Sequence, residues 1–185
     1  MHKRKYRVAL IGCGCIGAAH MDDIHDKTDI TVECVCDIDE QRARSFYAKY
    51  HACRFETDWK KVVSSDSVDI VIVATYPSSH LEIVEECIKH GKHAICEKPI
   101  AADLENGERF VRLVKENPQC KILVGHILRH HKTYQKVAQM IHSGAIGKPI
   151  IMRMAQNHHT MDWQKYLRLI CETSPIIDCG VHYLD

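Results

Sequence analysis

The chain has 185 residues, 45% of them apolar, and a formal net charge of +1 at pH 7, so it can form a hydrophobic core and is not expected to be disordered. The near-neutral charge excludes general nucleic-acid binding through a basic surface. The sequence has no apolar run of about 18 residues and no signal-peptide pattern, so we expect neither a membrane span nor secretion. Its ten cysteines then favour a reducing cytoplasm.

The first 125 residues alternate between predicted strands and predicted helices. Strands are expected at 7–11, 30–36, 68–74, 92–96 and 120–125. Helices are expected at 16–26, 40–50, 59–63, 81–90 and 104–116, the last with Asp103 as its N-cap. Strict alternation of this kind requires crossover connections and therefore predicts a parallel sheet in an α/β fold.

Three glycines lie between the first predicted strand and helix, as Gly12-x-Gly14-x-x-Gly17. The first allows a tight turn, the second allows a pyrophosphate to approach the backbone, and the third allows the helix to pack on the strand. The amides that begin the helix carry partial positive charge, which suits an anion. With Asp37 about 20 residues further on, at the end of the second strand, the pattern indicates dinucleotide binding. A glycine turn without a ligand is the alternative.

Asp37 also bears on which dinucleotide is bound. Its carboxylate can accept hydrogen bonds from the adenosine ribose hydroxyls and would repel a 2′-phosphate, so NAD is favoured over NADP. Arg42 and Arg44 are close in sequence and leave NADP open.

Glu97-Lys98-Pro99 directly follows the strand predicted at 92–96. Ligands bind at the carboxyl ends of strands in open α/β sheets, and a lysine beside a nicotinamide can donate or accept a proton. The alternative is a surface lysine before a turn proline.

The pattern changes after residue 125. A helix is expected at 132–142, a strand at 149–156, and a loop or short helix at 161–170.

The chain ends in a second candidate catalytic segment. Ser174 is a natural N-cap and Pro175 a natural first helical residue. On the helix that they predict, Asp178, His182 and Asp185 share one face. An Asp–His pair suits reversible alcohol oxidation, because one group takes the hydroxyl proton while another orients the acceptor. A polar outer helix face is the alternative.

The chain resembles the glucose-fructose oxidoreductase, inositol dehydrogenase and MocA family of nicotinamide-dependent oxidoreductases. The resemblance extends over essentially the whole chain and rests on segments that occur in order: GCGCIG (12–17), Asp37, ATYPSSH (74–80), EKP (97–99), GHILRHH (125–131), SGAIGKP (143–149) and DCGVHYLD (178–185).

This resemblance implies a Rossmann-type doubly wound parallel sheet at 1–125, followed at 126–185 by the start of an incomplete α/β domain for substrate binding and oligomerisation. It also implies that Lys98 and His182 share the proton chemistry, that Asp178 orients the histidine, and that the Lys98–Pro99 bond is cis. The residues expected to bind the cofactor are Gly12, Gly14, Cys15, Ile16, Gly17, Asp37, Ala74, Thr75, Pro77, His80, Glu97, Lys98 and Arg129.

The implied function is hydride transfer between NAD(P) and a sugar, a cyclitol or a related polyol, by a protein that is a homo-oligomer in its full-length form. Family members continue into a second sheet, so we expect a truncated chain. A lone strand at 149–156 cannot pair its edges, so the residues beyond about 126 are expected to be poorly ordered, paired with a strand of another copy, or held in a non-native arrangement. Two other functions stay open: a dinucleotide-binding sensor without turnover, and an NAD-dependent glycoside hydrolase, against which the presence of Lys98 counts. No metal is expected, because adjacent histidines such as His130 and His131 diverge.

Overall fold

The computed structural model describes residues 5–155, 167–174 and 176–185. The chain divides into two compact units, Met1–Gly125 and His126–Asp185. None of the helices in the described ranges is long and apolar enough to cross a membrane.

The described residues of the first unit form one sheet of six parallel strands in the order β3-β2-β1-β4-β5-β6. The strands are β1 (Tyr6–Ile11), β2 (Ile30–Cys36), β3 (Arg54–Glu56), β4 (Ile70–Val73), β5 (His93–Cys96) and β6 (Ile122–Val124). The helices between them are α1 (Cys15–Ile24), α2 (Glu40–Tyr50), α3 (Trp59–Val63), α4 (Pro77–Lys89) and α5 (Leu104–Glu116). This strand order confirms the predicted doubly wound fold and places its topological switch point between β1 and β4.

The central strands are apolar on both faces because helices cover both faces of the sheet. Along β1, Ala9 and Ile11 pack into one buried cluster, while Val8 and Leu10 pack into the cluster on the opposite face. Side chains of successive residues alternate between the faces of a strand. The two cores therefore fix the strand register and align the carboxyl ends of the strands along one edge.

Local signals set several helix starts. The Asp103 carboxylate accepts a hydrogen bond from the Asn106 amide and caps α5 as predicted, and Asp39 caps α2 in the same way. Helix α4 begins earlier than predicted, because Pro77 takes a first-turn position where its missing N–H costs nothing. Strand β3 was not predicted; it has only three half-buried residues at the sheet edge.

In the second unit, the described elements are a 3₁₀ helix (Ile127–His130), α6 (Lys132–His142), α7 (Leu167–Glu172), a π-helical turn (Ile176–Gly180) and α8 (Val181–Leu184). The predicted strand at 149–156 is wrong over 149–155, which have no regular structure. Ile150 and Ile151 are 92% and 86% exposed. A strand needs a partner for its backbone groups and its apolar face, and none is formed here within the described residues. Residues 156 and 161–166 lie outside the described ranges.

The predicted continuous α-helix at the end of the chain is also corrected, since a π-helical turn precedes the short helix α8. Gly180 closes this wider turn, and a Cβ at that position would lie 2.9 Å from Ile176 Cγ1. Glycine therefore lets the backbone of residue 180 lie against the Ile176 side chain, an approach that a larger residue would hinder.

Candidate functional site

The glycine loop follows β1 at the switch point of the sheet. Gly12 has φ +103°, and a Cβ there would collide with the Ala74 carbonyl at the end of β4. A Cβ at Gly17 would collide with the Gly12 carbonyl oxygen. By contrast, a Cβ at Gly14 would meet no atom within 4 Å. Gly12 and Gly17 are thus required by packing, whereas Gly14 faces open space where a ligand can approach.

The N-terminus of α1 has the features of an anion site. Gly14 is the N-cap and supplies no side-chain hydrogen bond. The helical bonding begins with the Ala18 amide, which donates to the Gly14 carbonyl at 2.9 Å. The backbone amides of residues 15–17 come before this first helical hydrogen bond, so they have no acceptor within the helix. Cys15 and Ile16 are exposed. Such amides, with the helix dipole behind them, attract phosphate groups.

Asp37 connects the end of β2 to this loop. One carboxylate oxygen accepts from the Cys13 amide at 2.8 Å, and the other accepts from the Asp39 amide at 2.9 Å. A carboxylate has about four acceptor positions, so half of them are still available to ribose hydroxyls. Burial, followed by the Asp37 charge, raises the pKa of the Cys13 thiol to about 12, which keeps that thiol neutral.

Both arginines near Asp37 are paired with carboxylates. Arg42 Nε lies 3.3 Å from Asp39 Oδ2. Arg44 lies 2.7 Å from Glu40 and stacks over the Phe55 ring, with Cζ 4.6 Å from the ring centroid. Both arginine side chains are 62% exposed, so these ion pairs are weak and do not decide whether a 2′-phosphate is recognised.

His80 is fully buried and connects two loops of the carboxyl edge. Its Nδ1 lies 2.8 Å from the Pro99 carbonyl oxygen, and its Nε2 lies 3.1 Å from the Thr75 carbonyl oxygen. A neutral imidazole donates to one of these carbonyls and an imidazolium donates to both. The Thr75 hydroxyl accepts from Ser79 at 2.8 Å. His80 therefore holds together the segments on which Thr75 and Lys98 lie.

Glu97 follows β5, and its side chain is only 13% exposed. One carboxylate oxygen lies 2.8 Å from His20 Nε2, and the other accepts from the Lys98 amide at 3.3 Å. Burial acts to raise the pKa of Glu97, but His20 and the Lys98 amide outweigh it and lower this pKa below its ordinary value. The Lys98–Pro99 peptide bond is cis. Lys98 itself is half-buried at the same edge.

Sequence reasoning missed His20. The available signal was its position three residues after Gly17, which places it near Gly17 on the surface of α1. Gly125 supports the same contact, because a Cβ there would lie 2.8 Å from both carboxylate oxygens of Glu97.

In the second unit, Arg129 forms a two-pronged ion pair with Asp185, with both N–O distances at 2.6 Å. The Asp185 side chain is 12% exposed, and His126 Nδ1 lies 3.8 Å away. The Arg129 guanidinium lowers the pKa of Asp185 against the opposing effect of burial, and His182 contributes to the lowering. Asp178 and His182, the predicted catalytic residues of this unit, are both half-buried.

A family model described as an oxidoreductase family with an NAD-binding Rossmann fold matches residues 6–126. The chain belongs to this family. Among curated proteins, it is 31% identical over 159 residues to inositol 2-dehydrogenase 4 of Saccharopolyspora erythraea, covering 85% of this chain and 47% of that protein. It is 26% identical to myo-inositol 2-dehydrogenase of Thermotoga maritima, covering 97% and 53%. The chain thus spans about half the length of the curated relatives it matches.

Solved structures show the same fold. The myo-inositol 2-dehydrogenase of Lactobacillus plantarum superposes with a TM-score of 0.88 at 20% identity, covering 97% of this chain and 54% of that one. The scyllo-inositol dehydrogenase of Lactobacillus casei, crystallised with NAD(H) and scyllo-inositol, gives 0.74 at 21% identity, covering 78% and 43%. At these identities the likeness establishes the fold alone.

Proposed function

We propose that the chain is the cofactor-binding part of an NAD-dependent oxidoreductase that transfers hydride between NAD and a cyclitol or a related polyol. The observation that carries the proposal is the uncapped N-terminus of α1 at the switch point. Asp37 lies beside it, with acceptor positions to spare. The curated relatives named inositol 2-dehydrogenases support the substrate class.

The residues of the first unit fit a dinucleotide. The amides of residues 15–17 would hold the pyrophosphate, with Gly14 leaving room for it. Asp37 would accept from the adenosine ribose hydroxyls and repel a 2′-phosphate, which favours NAD over NADP. Ala74, Thr75 and Pro77 follow β4 on the other side of the switch point, so they would flank the nicotinamide half.

A bound nicotinamide supplies the hydride acceptor for oxidation of a CH–OH group. Lys98 is the proposed proton carrier of the first unit, since its amine follows the strand end where ligands bind in this fold. Asp178 and His182 are the proposed proton-transfer residues of the second unit, the aspartate orienting the imidazole. Arg129 would also hold the Asp185 side chain in place, because its guanidinium donates two short hydrogen bonds to that carboxylate.

We also propose a cellular compartment and an oligomeric state for the protein. All ten cysteines are free thiols, which suits a reducing compartment such as the cytoplasm. We also propose that the full-length protein is a homo-oligomer.

Titration calorimetry of the chain with NADH and NADPH tests the proposal, together with absorbance at 340 nm in the presence of NAD and a panel of cyclitols and sugars. We expect tighter binding of NADH than of NADPH. Lys98→Met should bind NADH and lose turnover, whereas Lys89→Met, at an exposed lysine on α4, should match the unchanged chain. Binding of NADH without turnover on any polyol would support the cofactor site alone, and the same assay on a protein of the relatives' full length would then separate an oxidoreductase from a sensor. The proposal fails if neither dinucleotide binds.

A further inference from the structure

Histidine side chains hold the chain on both sides of Lys98. On the preceding side, His20 contacts the Glu97 carboxylate at 2.8 Å. On the following side, His80 contacts the Pro99 carbonyl oxygen at 2.8 Å. We propose that His20 is a positioning residue for Lys98 that acts through Glu97. This inference rests on the proposed function, in which Lys98 carries a proton.

The Glu97 carboxylate is restrained by contacts to both of its oxygens. Its side chain is 13% exposed, and that of His20 is 25% exposed, so solvent does little to compete with their contact. The second oxygen accepts from the Lys98 amide at 3.3 Å. Gly125 borders the carboxylate with no side chain of its own. The orientation of Glu97 therefore fixes the backbone amide from which Lys98 extends.

His20 also belongs to α1, the helix whose N-terminus is the proposed pyrophosphate site. The Glu97 amide in turn donates to the Val73 carbonyl oxygen of β4 at 3.0 Å. One rigid helix thus connects the phosphate-binding amides to the segment that carries the lysine. Proton transfer requires its donor within a few tenths of an ångström of the productive position, and this connection would set the lysine relative to the bound cofactor.

Two amide substitutions separate this role from general packing. Glutamine can place an N–H donor near the position of His20 Nε2, whereas the shorter asparagine cannot reach Glu97. In the ligand-free chain, hydrogen exchange at the Lys98 amide and acetylation of the Lys98 amine are measured by mass spectrometry, with Lys89 as the reference amine. We expect both rates to rise about threefold or more in His20→Asn, through local opening of the segment. In His20→Gln, and in the control His90→Asn at the exposed C-cap of α4, both rates should stay within about twofold of those of the unchanged chain.

Unchanged rates in His20→Asn, or equal increases in both amide variants, would overturn the proposal. Faster exchange without faster acetylation would also overturn it, because Glu97 would then hold the backbone without placing the amine. A parallel NADH titration of the unchanged chain separates the two hypotheses. If NADH does not bind, the proposed function fails, while the ligand-free rates still decide whether His20 positions Lys98.

Discussion

Substitution of alanine for two glycines of the same loop should have opposite consequences. At Gly12, alanine would be forced to φ +103° and its Cβ would collide with the Ala74 carbonyl group. The left-handed backbone costs about 1–2 kcal/mol, and an overpacked contact with backbone adds about 1–3 kcal/mol. We therefore expect Gly12→Ala to lower the free energy of unfolding by about 2–5 kcal/mol.

At Gly14, the backbone has φ −95° and ψ −165°, which alanine adopts readily, and the added methyl meets no protein atom within 4 Å. The cost to stability is the loss of a glycine N-cap, about 1 kcal/mol or less. The same methyl occupies the open side where the pyrophosphate would approach, so NADH affinity should fall by about tenfold or more.

Urea unfolding followed by circular dichroism, with NADH calorimetry on the same preparations, measures both effects. A Gly12→Ala chain as stable as the unchanged one would refute the steric reasoning. A Gly14→Ala chain that binds NADH with unchanged affinity would refute the assignment of the open side to the ligand.

Three further outcomes follow from the site. Asp37→Ser removes the carboxylate that favours the ribose diol, so it should weaken NADH binding more than NADPH binding. Calorimetry should then show the dissociation constants of NADH and NADPH closer to each other than in the unchanged chain. The folded-state pKa of Glu97 lies below its ordinary value of 4.5, so the unfolded chain binds more protons below about pH 4.5 and stability falls as the pH drops through that window. Glu97→Gln should flatten this slope in a urea series across pH. Arg129→Ala should raise the pKa of Asp185, the carboxyl that the guanidinium lowers, and NMR titration of the carboxyl carbon would detect the change.

The sequence predicted best those elements that have local signals at their ends. Helices α2, α3, α5 and α6 have the predicted bounds, and Asp39, Asp58 and Asp103 cap three of them. The predicted strand at 149–156 has strong local propensity but no partner within the described residues, so its apolar side chains stay exposed. Strand β3 shows the reverse case, because pairing with β2 gives strand structure to three residues with little periodic signal.

The sequence indicated which residues lie at the carboxyl edge but not which way each side chain is directed. His80 and Glu97 were both expected in the cofactor cleft, and both make hydrogen bonds within the first unit. The His80–Pro99 contact joins residues 19 positions apart, and the His20–Glu97 contact joins residues 77 positions apart. Helical or strand periodicity cannot show them, because they depend on how the helices pack on the sheet.

Helix α1 and its loop are fastened by carboxylates on two sides. Asp37, at the end of β2, accepts from the Cys13 amide before the helix. Glu97, at the end of β5, contacts His20 within the helix. The Cys13 amide and the His20 ring partly compensate the negative charges of these two carboxylates. The carboxylates therefore repel a phosphate at the N-terminus of α1 less than unpaired carboxylates would. Because both contacts join groups of the protein itself, we expect little ordering to be left for ligand binding. The backbone of residues 12–20 should therefore shift by less than about 1 Å between the free and NADH-bound chains.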